Sequence, residues 1–228
     1  MVRTYTIANG TVAVRFRDGI DPVSPKGHLP GERQRTSTSA RKGIRAVFLD
    51  RDGVINANDS YINSPDDFEL LPGAGAAIRR LNEAVIPVIV VTNQGAVAFR
   101  YIAAATVDEI LGKMDRLLAA QDAYVDVVYA AFAHPRGSVP ALSFDSPYRK
   151  PGIGMLEQAR DDLGVDLGKS VVVGDATTDI LAGQRAGCRT VLVKTGLAGE
   201  DGKVDVVPDA IVADLSSAVD LILAEEGG

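Results

Sequence analysis

The sequence predicts an α/β protein built on a doubly wound parallel sheet. Short apolar runs at 46–49, 87–91, 125–130 and 170–173 read as buried strands. Segments with helical periodicity separate them, and strand–helix alternation is the signature of parallel βαβ units. Three of these runs lead straight into polar or glycine residues, and ligands in such sheets bind beyond the carboxyl ends of the strands.

The elements follow in order. Residues 4–17 alternate around Asn9-Gly10, with Tyr5 and Ile7 before it and Val12, Val14 and Phe16 after it, which predicts a β-hairpin. A lone hairpin is marginal in water, so this one is expected to dock on the body or on a second copy. Residues 20–43 carry Pro22, Pro25, Pro30 and the run Thr36-Ser37-Thr38-Ser39, a linker composition. The expected organisation is a hairpin and basic linker over 1–43, then one domain over 44–228.

The first buried strand runs to Asp50, and a polar loop, 56–67, contains Tyr61. Pro72-Gly73 opens an amphipathic helix to about Glu83. The second strand, 87–91, enters Thr92-Asn93-Gln94-Gly95, and a helix follows over about 105–121. After the third strand comes a long irregular loop, 134–150, whose length suggests a functional role. Pro151-Gly152 opens a helix to about Leu163, and the fourth strand ends in Gly174-Asp175. A helix over 177–186, a short strand at 190–193, an edge strand at Ile211-Val212 and a helix over 216–224 complete the pattern.

Composition narrows the function classes. Of 228 residues, 46% are hydrophobic and 24% charged, an ordinary globular balance. Nine basic and three acidic residues give 1–45 a net +6, and the remainder carries −12. An acidic body disfavours nucleic acid. The longest apolar run is far short of the roughly 20 residues of a membrane span. One cysteine, Cys188, excludes an internal disulfide framework. With no signal-like apolar core at the N-terminus, a cytoplasmic protein is expected.

The chemistry concentrates at the strand ends. Asp50 and Asp52 follow the first strand, Thr92 and Asn93 the second, Arg149-Lys150 the loop after the third, and Asp175 and Asp179 the fourth. Acids this close are costly without a cation, and Mg²⁺ takes one or two carboxylates while leaving room for phosphate oxygens. Acids, a hydroxyl and a lysine on one sheet edge suit phosphoryl transfer.

Asp50-x-Asp52-Gly53, Thr92, Lys150 and Gly174-Asp175-x-x-x-Asp179, in this order, resemble the four motifs of the haloacid-dehalogenase (HAD) phosphatases. The run 48–56, the Tyr61 loop, Leu71-Pro72-Gly73-Ala74, Thr92-Asn93-Gln94 and Arg149-Lys150-Pro151 are similar to the subfamily of heptose bisphosphate and histidinol phosphatases. The resemblance covers about residues 45–195. It implies a minimal loop cap and a small phosphorylated metabolite as substrate, a heptose bisphosphate before histidinol phosphate; a silent phosphometabolite- or protein-binding module is the reading of another class. It also implies that Asp50 is the nucleophile and Asp52, expected neutral because crowded acids raise one another's pKa, the general acid and base. Thr92 and Lys150 would bind the phosphoryl group. Asp50, the carbonyl of Asp52, Asp175 and, as a brace, Asp179 would form the Mg²⁺ site. Asn93, Gln94, Arg149 and Asn58, Asp59, Ser60 and Tyr61 would contact substrate.

The chain departs from the subfamily in three places. The zinc-loop positions are Ala131, Ala133, Ser146 and Tyr148, so no zinc is expected. Residues 95–100 read Gly-Ala-Val-Ala-Phe-Arg, which displaces an arginine. Ala176 stands where the heptose enzymes often have lysine. All three bear on substrate choice.

Overall fold

The computed structural model describes residues 3–7, 11–18, 45–57 and 62–224. The Asn9-Gly10 turn, the 20–43 linker and residues Asn58, Asp59, Ser60 and Tyr61 lie outside them. Eight strands form one sheet: β1 (Arg3–Ile7), β2 (Val12–Phe16), β3 (Val47–Leu49), β4 (Val88–Asn93), β5 (Val127–Ala131), β6 (Val171–Gly174), β7 (Arg189–Val193) and β8 (Ala210–Val212). Their spatial order is β1-β2-β5-β4-β3-β6-β7-β8. From β5 to β8 all neighbours are parallel, as the apolar runs predict.

The hairpin docks within its own chain. β1 pairs antiparallel with β2, and β2 pairs antiparallel with β5 in the register Val12–Ala131 to Phe16–Val127. Val12, Val14 and Phe16 are buried in the same cluster as Val127, Tyr129 and Ala131. The hairpin thus extends the body's sheet and core.

Helices cover both faces. α1 (Ala74–Glu83), α2 (Ala104–Ala119) and α5 (Leu215–Ala224) pack on one side, against Val47, Leu49, Val88 and Val90. α3 (Gly154–Leu163) and α4 (Thr177–Arg185) pack on the other, against Phe48, Ile89, Val91 and Val172. Strand side chains alternate between faces, so a strand covered on both sides needs an unbroken apolar run. Two of the boundaries that differ from expectation bear on the site. β4 continues through Thr92 and Asn93, because these residues still pair with Ala130 and Ala131. α3 begins at Gly154 rather than at Pro151, because Gly152 N–H and Gly154 N–H are taken by the carbonyls of Arg149 and Pro147 in a preceding turn. Among the described residues no helix is long and apolar enough to cross a membrane.

The strand order places the site. From β3 the chain builds outward through β4 and β5, then returns to β3's other side and builds through β6, β7 and β8. β3 and β6 flank this reversal, where doubly wound sheets open a crevice at their carboxyl ends. Asp50 follows β3 and Asp175 follows β6.

Candidate active site

Asp50 leaves β3 still attached to the sheet, its N–H donating to Val173 O at 3.0 Å. The chain then turns tightly, with Ile55 N–H and Asn56 N–H donating to Arg51 O and Gly53 N–H to Asn56 O. Gly53 has φ +81° and a Cβ there would overlap the Asp175 carboxylate. Gly196, φ +62°, abuts the same carboxylate. Only glycine meets both demands, a left-handed backbone and a close approach. Leu197 N–H donates to Asp175 Oδ2 at 2.7 Å.

Lys150 is the centre of the floor. It is 4% exposed. Its Nζ lies 2.8 Å from Asp50 Oδ1, 2.7 Å from Asp179 Oδ1 and 2.7 Å from Val91 O. Burial alone would favour a neutral amine, yet Asp179 and Asp50 outweigh it and hold the ammonium charged well above the ordinary lysine range. Its backbone is clamped by Asn93, which accepts from Lys150 N–H at 3.0 Å and donates to Lys150 O at 3.1 Å. Asp179 also accepts from Ala176 N–H at 3.0 Å, fixing the start of α4.

One carboxylate oxygen from each of Asp50, Asp175 and Asp179 lies within 4.8 Å of the others. The Asp52 carboxylate is not in this group. Asp50 binds its proton well above the usual carboxylate range, because burial and repulsion by Asp179, Asp175 and Asp52 exceed the pull of Lys150. Four carboxylates on this floor face two cations, Arg51 and Lys150. The two remaining negative charges and the hard oxygen donors fit a divalent Mg²⁺.

Asp52 corrects the expectation of a neutral acid. Burial does raise its proton affinity, but Arg51 and donors from Asn56 and Gln94 pull it below the usual value. Arg51 Nη2 sits 2.6 and 2.8 Å from the two carboxylate oxygens, Asn56 Nδ2 3.0 Å from one and Gln94 Nε2 3.0 Å from the other. Crowding by acids is thus answered locally at Asp52 and expressed at Asp50.

The proposed substrate contacts divide. Gln94 Nε2 also donates to Thr92 Oγ1 at 2.9 Å, so Gln94 ties Thr92 to Asp52, while Asn93 holds the Lys150 backbone. Both make hydrogen bonds inside the protein, and both also line the cleft. Arg149 lines the cleft beside Gly95 and the Ala133 carbonyl. Asn58, Asp59, Ser60 and Tyr61 lie outside the described residues. The cleft, ≈ 240 Å³, joins Asp50, Asp52, Thr92, Lys150, Asp175 and Asp179 to Phe99, His134 and Lys203.

Sequence reasoning missed Arg51, Asn56, the 195–197 turn and Lys203. The first two stood in the same run as Asp50, and a demand for partners to Asp52 would have found them. The turn and Lys203 follow the fifth strand of the parallel set and carried no pattern.

The comparisons with known proteins agree with this geometry. A HAD-hydrolase-like family profile matches residues 147–218. The D-glycero-D-manno-heptose-1,7-bisphosphate 7-phosphatase of Thermosynechococcus vestitus is 40% identical over 185 residues, 78% of this chain and 94% of that protein. The D-glycero-beta-D-manno-heptose-1,7-bisphosphate 7-phosphatase of Escherichia coli K12 is 39% identical over 156 residues, 68% and 82% of the two chains. A Mesorhizobium loti structure described as a HAD-like phosphatase superposes with TM-score 0.74 at 32% identity, covering 97% of this chain and 96% of that one. The D,D-heptose 1,7-bisphosphate phosphatase of B. bronchiseptica, complexed with magnesium and phosphate, superposes with TM-score 0.69 at 34% identity over 80% and 99%. The chain therefore belongs to the HAD-like hydrolases, in the family of the heptose-1,7-bisphosphate 7-phosphatases, and is a phosphatase.

Proposed function

We propose that this phosphatase removes one phosphate from a small sugar bisphosphate, a heptose 1,7-bisphosphate, through an aspartyl-phosphate and with Mg²⁺. The observation that carries the reading is the floor itself: Asp50 and Asp179 both bonded to Lys150, with Asp175 alongside, at the sheet's point of reversal. The identity to heptose bisphosphate phosphatases supports the substrate.

In this mechanism Asp50 attacks phosphorus and the bond to the sugar oxygen breaks. Asp52 gives that oxygen a proton, then takes one from the water that attacks the aspartyl-phosphate, releasing phosphate and the Asp50 carboxylate. Because Asp52 rests as a carboxylate, it takes a proton from solvent as substrate binds; the incoming phosphoryl charge opposes Arg51 and raises its proton affinity. Lys150 and Thr92 hold phosphoryl oxygens, Lys150 as a point charge. Asp50, Asp175 and the Asp52 carbonyl would hold Mg²⁺, with Asp179 bracing Lys150. The ion supplies charge neutralisation that lets a phosphate approach a carboxylate.

No zinc enters this reading, since residues 131, 133, 146 and 148 offer neither thiolate nor imidazole. Phosphate release from heptose 1,7-bisphosphate, histidinol phosphate and simple sugar monophosphates, with Mg²⁺ and with EDTA, tests the function. The bisphosphate should be fastest and EDTA should stop it. Histidinol phosphate as the fastest substrate, or full activity in EDTA, would overturn the proposal. Elemental analysis that found one zinc per chain would overturn its zinc-free form.

A further inference from the structure

We infer that Lys203, on the loop between β7 and β8, is a specificity-determining residue that binds a second phosphate of the substrate, distal to the one being removed. This rests on the sugar bisphosphate reading above and assigns that substrate's other anion to a particular side chain.

Lys203 lies 24 residues beyond Asp179 in sequence, yet lines the same cleft as Asp50 and Lys150. The loop that carries it is strapped to the floor. Leu197 N–H donates to the Asp175 carboxylate and Gly199 N–H to the Asp175 carbonyl, each at 2.7 Å. Thr195 Oγ1 donates to Gly53 O at 2.6 Å. Further on, Asp201 Oδ1 accepts from Thr177 N–H at 2.9 Å, and Val204 N–H donates to Thr177 Oγ1 at 3.3 Å. Residues on both sides of Lys203 are thereby fixed to the start of α4, the helix that supplies Asp179. The backbone that carries Lys203 is thereby held beside the floor, and its side chain, 57% exposed, is open to the cleft.

Its partner within the protein is weak, Asp201 Oδ2 at 3.6 Å. That carboxylate is itself 3% exposed and committed to Thr177 N–H, so Lys203 Nζ retains donors for a ligand. Lys203 also stands with other cations. It lines the cleft together with Arg149 and His134, and partial burial, then Arg149, Arg136 and Lys203, lower the proton affinity of His134. Among the described residues, every carboxylate lining the cleft belongs to the floor. A substrate that presents one phosphate to the floor and carries no other anion would make no use of the Lys203 donors; a second phosphate would.

The test measures kcat/KM for heptose 1,7-bisphosphate and for p-nitrophenyl phosphate, which has no second anion, in wild type, Lys203→Met and Lys203→Arg. Lys203→Met should lower the bisphosphate-to-nitrophenyl ratio about tenfold, mainly through KM, the size expected for one charged hydrogen bond. Lys203→Arg should restore most of the ratio. An unchanged ratio in Lys203→Met overturns the inference while leaving the wild-type preference, and so the proposed function, in place. A wild type that treats the bisphosphate no better than heptose 7-phosphate overturns both. If Lys203→Met lowers Tm, Lys203→Gln is judged by the same ratio.

Discussion

The floor and the rim of the cleft are built on opposite plans. On the floor, Asp50 and Asp175 follow strand ends, Asp179 lies in the first turn of α4, and Lys150, though carried by a loop, is buried between Asp50 and Asp179 at 2.8 and 2.7 Å, while Leu197 N–H holds Asp175 at 2.7 Å. At the rim, Arg149, His134 and Lys203 come from loops and make longer contacts, such as Arg149 Nη1 to Ala133 O at 3.5 Å. The difference separates two tasks. Charge stabilisation during phosphoryl transfer requires groups that do not reorganise. Choice among metabolites requires groups that can be exchanged without disturbing the sheet.

The hardest test of this division is at Asp50. Asp50→Asn removes the proposed nucleophile and should reduce turnover by at least about 10⁴-fold, as loss of a covalent catalyst does. Circular dichroism should remain native, because the amide keeps the shape and relieves repulsion by Asp179 and Asp175. Lys150→Met should lower turnover about 10²–10³-fold. It should also destabilise the protein by about 3–5 kcal/mol, since Asp50 and Asp179 lose a buried counter-ion. Adding Asp50→Asn to Lys150→Met should recover part of the lost Tm. No recovery would mean that the floor is not the coupled unit described here.

A rim change should look different. Arg149→Ala should raise KM for a bisphosphate about tenfold or more, with kcat far less affected, and leave Tm nearly unchanged. If kcat fell in step with the Lys150 variant, the two regions would not be separate. Gln94→Leu probes the boundary. Losing a donor to the Asp52 carboxylate raises its pKa, so the alkaline limb of kcat/KM, where the proposed general acid loses its proton, should move to higher pH; a downward shift would contradict the network. The smallest effect is at Cys188, outside both regions. Burial and then Asp166 push its thiol from the ordinary 9.0 up to about 12. It should resist iodoacetamide at pH 8 in the native state. Its stabilising effect is present below pH 9 and lost as pH rises toward 12, so Cys188→Ala should lose stability less steeply over that range.

The two regions also differed in how readily the sequence disclosed them. The strands were legible because burial on two faces forces unbroken apolar runs, and Asp50, Asp175 and Lys150 were legible because each follows such a run or its loop. Asp52 lines the cleft, but neighbouring acids alone do not give its charge state, because the Arg51 side chain folds back onto the next residue. Gln94 and Asn93 line the cleft as the sequence suggests, but their bonds to Asp52, Thr92 and the Lys150 backbone were not legible, since a sequence does not say which way an amide turns. Lys203 was invisible. Its relation to the site depends on Asp175 reaching Leu197 and Gly199, and on Asp201 reaching Thr177, and such long-range hydrogen bonds leave no periodic trace.

One bond at the sheet's edge has a consequence for the whole molecule. Phe132 N–H donates to Thr11 O at 2.8 Å, just where β5 gives way to the wall that ends in Arg149. The amino-terminal ribbon is therefore a mooring line for that wall, tied two strands away from the nucleophile. Cutting it should blunt discrimination before it blunts chemistry, leaving an indiscriminate hydrolase in place of a dead one.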